Sequence, residues 1–233
     1  MKFLISANLL LLASTTGVLL AAPKIPNKTK VNPNDGATYI WIDPGTFTMG
    51  CSKDDRECFA WESSAEEQRV SKGFWIGRTE VTQSEYEKLT GENPSRYRGP
   101  RLPVDQISWF NARNYCQAIG MRLPTEKEWE YAARGGSSLP RYGPLNAIAW
   151  YDGNSADTTH VVAQKAPNGY GLYDTLGNVW EWVQDSADQY GKGMRLLRGA
   201  SFYNIAKDVR VSDRLWAVPE TAHRDMGVRC AGD

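Results

Sequence analysis

Three short helices, each with a legible start and stop, are the regular elements this chain spells out most clearly, and none exceeds eleven residues. Thr82 precedes Gln83 to Leu89, with Glu85 placed for a capping box and Gly91 just beyond. Ser108 precedes Trp109 to Ile119, with Gly120 as the stop, and Trp109, Ala112, Cys116 and Ile119 share one face. Thr125 precedes Glu126 to Arg134, with Glu128 completing a Thr-x-x-Glu box and Gly135 ending the segment. Between them the sequence predicts short strands. Tyr39–Ile42 and Thr46–Met49, joined by Asp43-Pro44-Gly45, read as a hairpin; Phe74–Ile76, Leu196–Gly199 and Val228–Cys230 read as further strands. Residues 135–170 read as long loops. With 21 Gly, 12 Pro, 9 Trp, 11 Tyr and 6 Phe among 233 residues, the expectation is one loop-rich domain with large side chains packed under its loops.

That aromatic content excludes intrinsic disorder, and 27 basic against 27 acidic residues disfavour a nucleic-acid binder, which needs basic runs to displace phosphate counterions. The first residues read as an address. Met1-Lys2, an uncharged stretch from Phe3 to Ala22 and small residues at its end make a secretory signal peptide over 1–22, cleaved after Ala21 or Ala22. The competing reading, a retained anchor, is weakened by Ser6, Asn8, Ser14, Thr15, Thr16 and Gly17. Residues 23–36 are polar and read as a linker, leaving 37–233 as the folded domain. Export places Cys51, Cys58, Cys116 and Cys230 in an oxidising compartment, the periplasm, where two disulfides are expected. Four cysteines allow three connectivities. Cys51 and Cys58 flank a short polar loop and pair naturally, which leaves Cys116 with Cys230; a redox role for Cys51/Cys58 is the minority alternative, since the spacing is not Cys-x-x-Cys.

Several segments stand in a specific order. Gly45-Thr46-Phe47-Thr48-Met49-Gly50 is followed by Glu80-Val81-Thr82 and then Arg122-Leu123-Pro124-Thr125-Glu126-Lys127-Glu128-Trp129-Glu130-Tyr131-Ala132-Ala133-Arg134-Gly135-Gly136. Next come Asn168-Gly169-Tyr170-Gly171-Leu172-Tyr173-Asp174, Gly177-Asn178-Val179-Trp180-Glu181-Trp182, Arg198-Gly199-Ala200-Ser201-Phe202 and Gly227-Val228-Arg229-Cys230. Together these resemble the sulfatase-modifying, formylglycine-generating enzyme family over essentially all of 37–233. The resemblance implies an α+β domain related to the C-type lectin fold, with little regular secondary structure, and a disulfide between the positions matched by Cys116 and Cys230.

Its chemistry does not carry over. The family's oxidases bind copper through two cysteines shortly after the segment matched by Gly199-Ala200-Ser201, and between Phe202 and Arg229 this sequence has none. Copper(I) requires thiolate or thioether sulfur, so no copper and no catalytic residue is expected. Two histidines, His160 and His223, are too few for a zinc centre, and Ser201 lacks a Gly-x-Ser-x-Gly elbow. Asp54-Asp55 and Glu126/Glu130 read as solvated charges.

A structural calcium ion is the one metal expected. Asp174, Gly177, Val179 and Glu181 sit at i, i+3, i+5 and i+7 in an irregular segment, two carboxylates with two main-chain carbonyls between them. The resemblance implies calcium at these four positions, Asp174 replacing a neutral amide of some relatives; the alternative is that both carboxylates cap loop amides. Trp180 and Trp182 read as core. Arg210, Arg214 and Trp216, near the region of the family's groove, are the candidates for an exposed partner-binding surface. Within the family the combination resembles a catalytically inactive periplasmic accessory protein of type VI secretion. The partner this implies is the periplasmic domain of a PpkA-like membrane Ser/Thr kinase, or another envelope protein, with activation of the kinase as the outcome. Competing classes are an oxidase using a different site and a calcium-dependent lectin-like module.

Overall fold

A computed structural model of the protein describes residues 28–53, 55–62 and 65–233. The signal-peptide expectation for 1–22 falls outside the described residues. Among those described, no helix is long and apolar enough to cross a membrane.

Each helix forms where its caps place it. The first, α1 (Gln83–Thr90), and the third, α3 (Glu126–Arg134), carry complete Thr-x-x-Glu boxes and end on Gly91 and Gly135 in the left-handed conformation. Between them α2 (Trp109–Ala118) starts at Ser108, whose reciprocal partner is Asn111. A four-residue turn of helix, α4 (Leu145–Ile148), is the one regular element within 135–170.

The strands form three sheets. β1 (Thr29–Val31), β2 (Thr38–Ile42), β5 (Phe74–Gly77) and β10 (Ala231–Gly232) make an antiparallel sheet in the order β1-β2-β5-β10. β3 (Gly45–Met49) and β4 (Glu66–Val70) make a two-stranded ribbon. β6 (Trp180–Ser186), β7 (Arg195–Arg198), β8 (Arg214–Ala217) and β9 (Met226–Gly227) make a mixed sheet ordered β8-β7-β6-β9, parallel only between β6 and β9. The result is α+β and loop-rich.

The expected hairpin and linker are not what the structure shows. β2 and β3 do not pair as a hairpin: β2 pairs with β5, Ile40 opposite Ile76, while β3 turns away to pair with β4. Residues 28–36 are no linker. β1 lies within them, and Asn32 and Asp35 are buried, Asn32 donating to the Ile119 carbonyl and Asp35 accepting from Tyr39 and Tyr115 hydroxyls. Short polar side chains that answer helix ends and buried hydroxyls read as linker residues until their partners are known.

Trp109, Trp129, Trp180, Trp182 and Cys116 belong to one buried cluster that fills the space between α2, α3 and the β6–β9 sheet. A smaller cluster, including Ile40, Ile42, Phe74, Ile76, Tyr131 and Leu172, seats α3 against the first sheet. Both disulfides form as expected: Cys51 with Cys58, and Cys116 on the inner face of α2 with Cys230, 114 residues away.

Candidate functional site

Helix α3 lies between two charged centres and touches both. On one side Trp129 donates its indole N–H to Glu181 at 2.6 Å. Glu181, at the start of β6, is also gripped by Arg229, whose Nη2 lies 2.7 Å from Oε1 and whose Nε reaches both oxygens at 3.0 Å. Arg229 spends its other N–H groups on the carbonyls of Gly77 and Tyr173. Glu80 completes the group, accepting from the Asn178 amide at 2.9 Å and the Val179 N–H at 3.2 Å.

Asp174 belongs to the same buried region. Its Oδ2 accepts from the Ala163 N–H at 2.6 Å, while Oδ1, fully buried, has no hydrogen-bond partner. Burial, reinforced by repulsion from Glu181, pushes its carboxyl up to about 6. Burial, with repulsion from Asp174 and Glu181, holds Glu80 well above the usual carboxylate range. Three buried carboxylates thus face one guanidinium, a surplus of negative charge that a protein interior tolerates only with protons or a cation.

The backbone here is shaped for close approach. At Gly177, with φ of 79°, a Cβ would sit 2.2 Å from the Trp150 carbonyl oxygen, so the conformation and the contact both exclude a side chain. The orphaned Asp174 Oδ1 and the carbonyl-bearing turn at Gly177 and Val179 suit a hard cation such as calcium. The three carboxylates do not themselves converge. Among the described residues the only three metal-ligating side chains with ligand atoms within 4.8 Å of one another are Cys51, Asp55 and Cys58, and those two sulfurs are joined in a disulfide. A cation near Asp174 would therefore rest on one or two carboxylates plus main-chain oxygens. Bound calcium would supply charge neutralisation and loop fixation.

The second centre gathers around Glu130 of α3. Glu130 is fully buried, not solvated: Oε1 accepts from Arg134 at 2.7 Å and from the Gly50 N–H at 2.8 Å, and Oε2 from Arg198 at 2.5 Å. Arg198 also holds the carbonyls of Val211, Ser212 and Asp213. At Gly199, with φ of 99°, a Cβ would press on the Trp129 ring at 3.0 Å and the Thr175 carbonyl at 3.1 Å. Glu126 pairs with Arg214 and lies 3.7 Å from Arg198, so it too is no solvated charge. Asp54 lies outside the described residues, and Asp55 is nearly buried against Arg210 at 3.3 Å.

These pairings bury Arg210 and Arg214, two of the three residues expected to form an exposed recognition surface, and Trp216 is only partly open. Arg210 is 0% exposed, with Nη1 2.7 Å from Glu62; Arg214 is 7% exposed. The loop between Cys51 and Glu62 supplies the carboxylates of Asp55 and Glu62 to Arg210, whereas Arg214 is held by Glu126 of α3 and the Trp61 carbonyl. Trp216 is half-buried, stacked on Tyr190 at 4.0 Å and met edge-on by Trp61 at 5.9 Å. The Tyr190 hydroxyl and Arg214 both donate to the Trp61 carbonyl. Of the row Phe59–Trp61–Trp216–Tyr190, Trp61 is the most open, at 38%. In the stretch after Phe202 the exposed large apolar side chains include Tyr203 and Ile205, and no cysteine lies between Phe202 and Arg229. All four cysteines of the sequence are in disulfides.

Sequence reasoning brought Asp174, Gly177, Val179 and Glu181 together and missed Glu80, Arg229, Glu62 and the buried role of Glu130. For Glu130 a signal was available. Glu126, Glu130 and Arg134 recur every four residues on the face of α3 that also carries the packing side chains, where charges must be paired.

Known proteins are similar to this chain in sequence and in fold. Inactive C-alpha-formylglycine-generating enzyme 2 of Mus musculus is 37% identical over 184 residues, 70% of this chain and 56% of that protein. Serine/threonine-protein kinase pkn1 of Chlamydia pneumoniae is 38% identical over 147 residues, 55% of this chain and 24% of that protein. The chain thus spans about half, or less, of the length of these relatives. The solved structure of PvdO from Pseudomonas aeruginosa superposes with a TM-score of 0.79 at 26% identity, covering 89% of this chain and 98% of that one. The sulfatase-modifying factor enzyme 1-like domain profile matches residues 25–233, and with the fold in place the chain belongs to that family.

Proposed function

We propose that this protein is a non-catalytic binding protein that acts outside the cytoplasm. In this reading it engages the periplasmic domain of a PpkA-like membrane Ser/Thr kinase and promotes its activation, as a protein similar to TagR, the type VI secretion accessory protein. The observation that carries the non-catalytic reading is the cysteine inventory. Every cysteine is spent in a disulfide and none lies between Phe202 and Arg229, so no thiolate pair is available there to hold copper(I). The mouse relative named as inactive supports it. The kinase partner is supported by the shared domain in the chlamydial kinase, where a domain of this kind and a kinase occur in one named protein. Purified exported protein, used as bait against solubilised envelope, is expected to retain the kinase. Recovery of no envelope protein, or conversion of a peptide cysteine in air by material carrying stoichiometric copper or iron, would overturn the reading.

Calcium belongs to this proposal as a structural ion, held by Asp174, Gly177, Val179 and Glu181. Adding calcium to chelator-treated protein is expected to raise the melting temperature, and Asp174→Asn to abolish that rise without destabilising the calcium-free form. The Asn variant removes an ionisable group whose burial is unfavourable when no cation is present. A calcium-dependent rise that survives in the variant would place the ion elsewhere.

A further inference from the structure

The two disulfides occupy opposite environments. Cys116 and Cys230 are 0% and 1% exposed inside the main core, whereas Cys51 and Cys58 are half-buried at the surface. Cys58 Sγ also receives a hydrogen bond from Arg210 Nη1 at 3.7 Å. Arg210 is itself fixed by Glu62, by Asp55 and by its Nε bond to the Lys207 carbonyl. Thiol–disulfide exchange is fastest where the sulfur is reachable and the departing thiolate is stabilised. Asp55, within 4.8 Å of both sulfurs, opposes any thiolate there, and its pairing with Arg210 offsets that charge.

We propose that Cys51–Cys58 is a thiol-exchange site for a dithiol reductant, with Cys51 the sulfur attacked and Cys58 the leaving group. A thiolate of the reductant attacks Cys51 Sγ, the Cys51–Cys58 bond breaks, and its electron pair leaves on Cys58, which accepts the Arg210 N–H bond. The reductant's second thiol gives up its proton and closes on the mixed disulfide. Cys51 is released as a thiolate, the protein disulfide is reduced to two thiols, and the dithiol is oxidised to its disulfide. The consequence is local. The loop that stacks Phe59 on Trp61 and sets Trp61 against Trp216 loses its covalent closure, while the core disulfide stays intact.

The test uses the folded protein with limiting dithiothreitol, followed by alkylation and peptide mapping. Cys51 and Cys58 are expected to become labelled on the order of tenfold or more faster than Cys116 and Cys230. Reduced glutathione, which lacks the second thiol, is expected to trap its adduct on Cys51 with Cys58 free. Selective reduction is expected to change tryptophan emission with unchanged far-ultraviolet circular dichroism. Arg210→Gln is expected to slow the reaction by about tenfold. Should that variant fail to fold, the position of the glutathione adduct on the unaltered protein decides the matter. Equal labelling of the two pairs, an adduct on Cys58, or unchanged emission after selective reduction would each overturn the proposal.

Discussion

Asp105 shows how a single buried carboxyl can set a pH response. Its Oδ1 accepts from the Arg96 N–H at 2.6 Å, its Oδ2 is buried with no hydrogen-bond partner, and burial pushes it up to about 6. A carboxyl raised in the folded state holds its proton more tightly there than in the unfolded chain. Its stabilisation is therefore full below the unfolded value and is lost as pH climbs through about 6. Asp105→Asn, neutral at every pH, should gain on the unaltered protein by about 2–3 kcal/mol between pH 4 and pH 7 in denaturant titrations. Parallel stability curves would contradict this. At this scale the sequence was only partly readable. Asp174 and Glu181 were found because their spacing matched a ligand loop, whereas Glu80, Asp105 and Glu62 come from segments with no such pattern. Their burial is decided by Asn178, Arg96 and Arg210, all distant or unremarked in the sequence.

Among the elements, α3 was the most legible and is the most consequential. Its box, Thr125 with Glu128, fixes the start; Arg122 then clasps Glu128 with two bonds of 2.7 and 2.8 Å. The register so fixed sends Trp129 to Glu181 and Glu130 to Arg198. Thr125→Ala should cost about 1 kcal/mol and lower the melting temperature by roughly 2–4 °C. A scanning calorimetry trace unchanged from the parent would show that the clasp alone sets the register. The strands were harder to read for a physical reason. β4, Glu-Glu-Gln-Arg-Val, has no alternation because it is largely exposed, so the sequence announces no partner for β3 other than the nearer β2. Val228–Cys230 failed differently: these apolar-looking residues lie between β9 and β10, buried through Arg229 and the disulfide.

For the whole molecule, the long disulfide and the two clusters make one unit from distant segments. Replacing Cys116 and Cys230 together by Ala should cost about 4 kcal/mol, and replacing Cys51 and Cys58 clearly less, since the first pair closes 114 residues and the second only seven. Equal losses in chemical denaturation would contradict the loop-length argument. The family and its α+β class were readable from ordered motifs, each of which marks a tight turn, a cap or a packed indole. The burial of Arg210 and Arg214 was not, because whether an arginine is exposed depends on which segments fold over it.

The pairing of β10 with β5 has a bearing on how the polypeptide is made. A nascent chain emerging from the ribosome exposes Trp75 and Ile76 long before Ala231 and Gly232 exist to lie beside them. That sheet edge must wait, along with the thiol of Cys116, until Cys230, Ala231 and Gly232 have been delivered. Folding assistants that shield apolar edges and defer oxidation during this interval would therefore govern the yield of correctly closed molecules.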